Sequence, residues 1–185
     1  MSSTATEIPG YLAGTWAVDT AHTDVSFVVR HMMVSKVRGR FTRFEGQLVT
    51  AEDPLESTVT ATIELDSLDT NEPNRDAHIR SADFFDVEKY PTMSYRSTRI
   101  RRDGNGFVMH GELDLHGVTR EVPLELEFNG VATDPQGGTR SGFSATGQIS
   151  RKDFGIDIDM PLDGGGVVIG DKITINLEVE AVLQP

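Results

Sequence analysis

The sequence predicts an all-β protein made of long antiparallel strands, on three observations. From Phe107 to Phe128 the residues alternate: Phe107, Met109, Gly111, Leu113 and Leu115 share one parity, and Val122, Leu124, Leu126 and Phe128 oppose Glu121, Glu125 and Glu127. A period of two sends successive side chains to opposite faces of a pleat, so both halves read as strands wet on one side and apolar on the other. The same alternation returns in 57–66 and 171–183. Residues 71–89 are the main exception, so nothing supplies the repeated helices that a parallel sheet needs between its strands. Eight or so strands of about 10 residues, near 33 Å each, make an antiparallel barrel or sandwich.

In chain order, residues 1–13 read as a flexible arm. Gly14 to Asp19 is a short first strand, with Trp16 closing one end of the core. Asp24 to Met33 is a second, in which Val25, Phe27 and Val29 oppose Ser26 and Arg30 before the chain turns apolar on both faces. Residues 36–50 form a third; Phe44 is out of register with Phe41, which predicts a bulge at Thr42-Arg43 that bends the sheet toward closure. After Pro54, Val59, Ala61, Ile63 and Leu65 alternate with threonines and acids. Asn74 to Ser81 reads as a short helix capped by Asn71 or Asn74, with an apolar knot of Ile79, Phe84 and Phe85 beyond it. Met93 and Tyr95 mark the next strand, and His116-Gly117 turns the central hairpin. Residues 140–150 alternate Gly142, Ala145, Gly147 and Ile149 with polar neighbours. An irregular stretch, 153–166, holds Phe154, Met160, Pro161 and the loop Gly164-Gly165-Gly166 before the last strand. The interior glycines Gly39, Gly111, Gly142 and Gly147 are expected to leave a tunnel rather than a filled core.

At 185 residues the chain suits one domain with a sizeable core. Its net charge of −12 excludes nucleic acid as the default partner, because phosphate binding needs a basic surface. The first 102 residues hold 12 basic and 15 acidic side chains, the remainder 5 and 14, so the acidity is concentrated in the second half. With no cysteine there are no disulfides, thiol catalysis or cysteine-based zinc sites. The N-terminus has neither a basic nor an apolar leader region, and no apolar run approaches the roughly 18 residues of a membrane span. The expectation is therefore a cytoplasmic protein with no integral membrane segment.

His22, His31, His78, His110 and His116 share no metal-ligand spacing, and His110 and His116 on one face stand some 20 Å apart at about 3.3 Å per residue. No Gly-x-Ser-x-Gly elbow is present, and the triple glycine is not followed by a helix and Lys-Ser/Thr, so it is not a phosphate loop. No catalytic constellation, metal site or cofactor is read from the chain. Two basic clusters, Arg38-Arg40-Arg43 and Arg99-Arg101-Arg102, are either a solvated face paired with acids or a patch for an anionic membrane or head group.

Six motifs in order carry a family resemblance. They are Trp16-Ala17-Val18-Asp19 with His22 and Val25-Ser26-Phe27; Val37-Arg38-Gly39-Arg40-Phe41 with Phe44-Glu45-Gly46; Arg75-Asp76-Ala77-His78-Ile79 with Ser81 through Asp86; Tyr90-Pro91; Gly111-Glu112-Leu113 with Leu115 through Arg120; and Arg151 through Ile156. From Trp16 to Leu183 the chain resembles the YceI-like family of lipid-binding, lipocalin-like barrels. The resemblance implies an extended eight-stranded antiparallel lipocalin-like β-barrel with one short helix inserted between strands, as a single domain over 14–185. It further implies a pore holding a long-chain lipid: a polyisoprenoid, an isoprenoid quinone or a fatty-acid derivative. Many members of that family carry an export signal, and a homodimer is compatible with the resemblance.

The expected pore residues are Phe27, Val29, Met33, Phe41, Ile63, Ile79, Phe84, Phe85, Met93, Leu113, Phe143, Ile149 and Phe154, of which Phe27, Phe41, Phe143 and Phe154 could equally be plain core. Asn74, Arg75, Asp76 and His78 are expected at the head-group end, with a structural clasp from Arg75 to Asp83 or Asp86 as the alternative. A chain in such a pore gains about 0.8 kcal/mol per buried CH₂, so it needs length and dryness rather than special chemistry. Binding, storage or transport of such a lipid is the expected function. An enzyme acting on a lipophilic small molecule in the same cavity is the alternative.

Overall fold

The computed structural model describes residues 8–158 and 169–185. Met160, Pro161 and the triple glycine therefore lie outside the described residues, as do the first seven residues of the arm. Twelve strand segments follow in order: β1 (Gly14–Val18), β2 (Asp24–His31), β3 (Ser35–Phe41), β4 (Phe44–Thr50), β5 (Thr58–Glu64) and β6 (Leu68–Asp69) precede the helix α1 (Pro73–Arg80). Then come β7 (Thr92–Asp103), β8 (Gly106–Leu115), β9 (Val118–Glu121), β10 (Leu124–Thr133), β11 (Thr139–Ser150) and β12 (Ile169–Leu183).

Interruptions divide eight long strands into these pieces. Thr42-Arg43 separates β3 from β4, with Thr42 N donating to Ser67 O at 3.3 Å; this is the predicted bend. Pro123, which has no N–H to give the ladder, separates β9 from β10, while Val122 N still donates to Gly111 O at 2.8 Å. Each long strand pairs antiparallel with the next, and β12 closes the ring, pairing with β2 from Ile169 to Glu178 and with β1 from Ala181 to Leu183. The result is a closed eight-strand antiparallel barrel with a single short helix. Closure leaves no unpaired edge along its wall. Among the described residues no helix is long and apolar enough to cross a membrane.

The central hairpin is built on β8 and β9. Its two turn residues, His116 at φ 57° and Gly117 at φ 74°, are both left-handed, as a two-residue turn matching strand twist requires. Phe107, Met109, Gly111, Leu113 and Leu115 are buried while Glu112 and Asp114 are exposed, so the predicted parity holds from Met109 onward; Val108, on the opposite face, is buried as well. In β11 the expected inward set holds at Ala145 and Ile149 but not at Gly142. Ser141, Phe143, Ala145 and Ile149 are the buried set, and Gly142 faces the side chain of Asn129. The β10–β11 register shifts between Phe128 and Gly130, and the sequence pattern does not show that bulge.

α1 begins one residue before the predicted span. Its cap is Glu72, whose carboxylate accepts from Asn74 N and Arg75 N at 3.2 and 2.6 Å, and Pro73 takes the first turn, where no N–H is needed. Asn71, one expected cap, is left-handed at φ 66° and lies before the capping residue. Within 8–13, Ile8 and Tyr11 are half-buried against the barrel: Tyr11 Oη donates to Ala51 O at 2.5 Å and lies 3.1 Å from Ser57 Oγ. A smaller core cluster of Trp16, Leu48, Phe143 and Ala181 fills this end, and the larger cluster runs from the mid-barrel to α1.

Candidate functional site

The inward faces of the strands enclose an apolar cavity of about 240 Å³ that runs from Ile8 and Tyr11 at one end to Phe41 and Phe85 beneath the helical insertion. Along β8 its wall extends from Phe107 to Leu115, eight residue steps. At about 3.4 Å per step and a tilt near 40°, that is roughly 27 Å of strand and 20 Å of axis. The length exceeds the ~15 Å that one leaflet's chains occupy in a bilayer.

Aromatic rings stand at both ends. Phe27 and Phe41 lie 5.7 Å apart, and Phe41 meets Phe85 at 6.1 Å, under the cap. At the opposite end Tyr11 meets Phe128 edge-on at 6.1 Å, and Phe128 lies 5.4 Å from Phe143. Polar atoms gather at this second end: Tyr11 and Ser57 share a hydrogen bond, and Thr50 Oγ1 receives Trp16 Nε1 at 2.8 Å and donates to Leu12 O at 2.8 Å. Within the wall, Tyr95 Oη donates to Val122 O at 3.0 Å, and burial, with Glu121 nearby, pushes the phenol above its ordinary value. It stays a neutral donor turned to the backbone.

Two of the interior glycines do not open the tunnel. A Cβ at Gly39 would stand 2.3 Å from Phe27 Cζ, and one at Gly111 would stand 2.3 Å from Tyr95 Cζ. Each glycine is the seat of a cross-strand ring, so the ring lies flat on the wall and the lumen beyond it stays open. Gly147 similarly receives Leu124, and Gly142 does not face the interior.

Of the expected pore residues, Phe27, Phe41, Ile63 and Phe85 line the cavity, as do Met93, Leu113, Phe143 and Ile149. Five others do not. Met33 is 50% exposed at the tip between β2 and β3, because its φ of 62° ends the strand two residues earlier than its apolar run suggests. Val29, half-buried between Val37 and Ile173, is beyond the wall. Phe84 and Phe154 are buried in the solid cap, and Ile79 packs against it, so their apolar surface is spent on one another rather than on the lumen.

The expected head-group residues form a clasp instead. Asp76 is buried and accepts from Thr70 N at 2.9 Å and from Thr70 Oγ1. Arg75 donates to Thr70 O at 2.6 Å and to Thr70 Oγ1 at 2.8 Å. His78 is exposed and bonds Asp83 at 2.9 Å, and Asn74 is exposed. None of the four lines the cavity, and Arg75's partner is Thr70 rather than Asp83 or Asp86. What sequence reasoning missed is the other end. Ile8 and Tyr11 belong to the wall, and the available signal was the bulky residues Ile8, Tyr11 and Leu12 within a stretch otherwise mostly small and polar, of which Leu12 stays exposed.

No histidine lines the cavity. His110 bonds Glu121 at 2.8 Å and His116 bonds Phe154 O at 3.0 Å, both structural partners. Asp19, His22 and Glu180 cluster within 4.8 Å, but Arg140 Nη1 lies 2.5 Å from the Asp19 carboxylate and 3.0 Å from that of Glu180. The guanidinium supplies the positive charge those carboxylates need, and it holds Asp19 down at about 2 with help from His22. The basic clusters are largely engaged: Arg40 pairs with Asp69, Arg43 with Glu64 and Asp66, and Arg102 lies over the Phe107 ring.

A family model for the YceI-like domain matches residues 16–181. A UPF0312 protein of Vibrio cholerae is 41% identical over 152 residues, covering 79% of each chain. Among solved structures, the Campylobacter jejuni YCEI protein is 32% identical with a TM-score of 0.72 over 90% of this chain and 96% of that one. A polyisoprenoid binding domain from Saccharophagus degradans, implicated in plant cell wall breakdown, shares the fold at 15% identity with a TM-score of 0.66, over 94% of this chain and all of that one. The motifs from Trp16 to Ile156, the closed barrel and these matches agree, and the chain belongs to the YceI-like family.

Proposed function

We propose that the protein is a non-enzymatic carrier or store for a long-chain lipid of isoprenoid or acyl type, held extended inside the barrel. The observation that carries this reading is the length of unbroken apolar wall from Phe107 to Leu115 within a closed sheet. An extended hydrocarbon is the ligand whose shape such a lumen fits, and its gain grows with every methylene taken out of water. The polyisoprenoid binding of the Saccharophagus degradans domain supports the same ligand class.

The polar end of the lipid lies by Tyr11, Thr50 and Ser57 in this reading, opposite the helix. Tyr11, Thr50 and Ser57 bring hydroxyls to the wall of that end, bonded there to one another and to neighbouring backbone, whereas Phe27, Phe41 and Phe85 line the cap end. Native mass spectrometry of the freshly purified protein, followed by solvent extraction, tests the proposal. A stoichiometric isoprenoid or acyl species is the expected result. An apo mass that does not change on adding a quinone or polyprenyl lipid would refute it.

A further inference from the structure

The hairpin between β2 and β3 carries a turn that neither folding nor solubility explains. Met32 and Met33 take φ of 52° and 62°, and Val34 N donates to His31 O at 3.3 Å, which makes a β-turn with both central residues left-handed inside a three-residue loop between the paired His31 and Ser35. Asparagine and glycine suit those positions; an unbranched apolar side chain is strained there. The strain places apolar groups in water: Met32 is 45% exposed, Met33 50% and Val34 84%. Just behind the tip, Arg30 faces Lys36 across the hairpin and Arg38 faces Val28 one step further along. All three cations are exposed and none has an ion-pair partner among the described residues, in a chain whose net charge is −12.

We infer that this tip docks the protein on an anionic lipid bilayer, the methionines and valine entering the acyl boundary while Arg30, Lys36 and Arg38 meet the head groups. Three residues are far too few for a stable protein interface, which needs about 800 Å² on each partner. They do suit insertion: an apolar point behind a basic collar gains hydrophobic burial and charge attraction together. Each basic side chain near anionic lipid adds roughly fivefold in affinity. Docking follows from the hairpin's own chemistry and does not depend on what fills the cavity.

Co-sedimentation with phosphatidylcholine vesicles, and with mixed phosphatidylcholine–phosphatidylglycerol vesicles, tests the inference on the intact chain. The protein should sediment with the mixed vesicles, stay in the supernatant with the neutral ones, and be released from the mixed ones by salt. The double variant Met32→Asn, Met33→Gly should bind the mixed vesicles roughly tenfold or more weakly while melting at a higher temperature, since it removes the apolar tip and relieves the turn. That opposition of effects separates docking from misfolding. Lys36→Glu with Arg38→Glu should abolish the preference for anionic lipid. Equal binding to both vesicle types, no binding to either, or full binding by the Asn-Gly variant would overturn the inference. Self-association lost in that variant, without vesicle binding, would overturn it in favour of a second copy.

Discussion

Ala145 sits on the inward face of β11 between Leu126 and Leu177, and it is one of the smallest side chains in the cavity wall. Replacing it with Phe projects a ring across the lumen at the level of Phe107, near the Tyr11 end. A benzene-sized group occupies a site of roughly 150 Å³, and the cavity offers about 240 Å³. The ring therefore takes up more than half of the open volume. Its burial contributes about 1.5–3 kcal/mol, against about 1–3 kcal/mol for any shift it forces, so the folded state should change by no more than ~2 kcal/mol. Ligand binding should change far more. A chain stopped at that level loses the lumen beyond it, and forfeiting even five methylenes costs about 4 kcal/mol, roughly a thousandfold in affinity. The single tryptophan, Trp16, packs with Leu48 and Phe143 at the same end and serves as an internal reporter for titration with a quinone, which quenches it. Ala145→Phe should melt within a few degrees of the parent and give a flat titration. A folded Ala145→Phe protein that binds the quinone as tightly as the parent would refute the placement of lipid in this lumen.

Three further outcomes follow from separate parts of the molecule. Gly39→Ala should destabilise the barrel by about 1–3 kcal/mol in urea unfolding, because its Cβ meets the Phe27 ring, and pairing it with Phe27→Leu should cost less than the two changes summed. Arg75→Ala should lower stability by about 1–3 kcal/mol, through the lost bonds to Thr70, yet leave lipid affinity unchanged; a weakened affinity at equal fold would restore the head-group role to the helix. Arg140 holds the Asp19 carboxyl at about 2 in the folded protein, below an unfolded value of about 3.9. The resulting stabilisation is complete above roughly pH 4 and is lost as pH falls to about 2. The difference in stability between the parent and Arg140→Met should therefore be widest above that window and shrink through it; a difference constant with pH would remove Asp19 from the account.

Alternation made the strands legible, since a half-buried pleat repeats every two residues whatever its neighbours. It read β5, β8 and β12 nearly to their ends, and the misfit of Phe44 against Phe41 located the bend between β3 and β4. What alternation does not encode is where a strand stops when the residues remain apolar. Met32 and Met33 continue a hydrophobic run, and only their positive φ turns them into solvent. Register shifts are equally silent: the bulge at Phe128–Gly130 adds a residue to β10, while β11 alternates unbroken through Ser141, Phe143 and Ala145, a parity to which Gly142 never belonged. The cavity wall was legible where it coincided with strand interiors such as Ile63, Met93 and Leu113. Phe84 and Phe154 look identical to wall residues in sequence, because a buried ring in a cap and one beside a lumen satisfy the same demand for dryness.

The closing pair of the barrel joins the two ends of the chain, Trp16 to Leu183 and Ala17 to Val182, whereas the other neighbouring long strands are consecutive in sequence. Hairpins can thus form one after another as the chain leaves the ribosome, but the last contact waits for residues some 165 positions downstream of the first. Until then β1 and β2 hold an open edge, and the interior drains freely to water. A chain folded only as far as β11 therefore cannot enclose this lumen, because the wall is still one strand short. Removing the final residues of β12 would leave that edge exposed for good, converting a closed barrel into a sheet that pairs with its own copies.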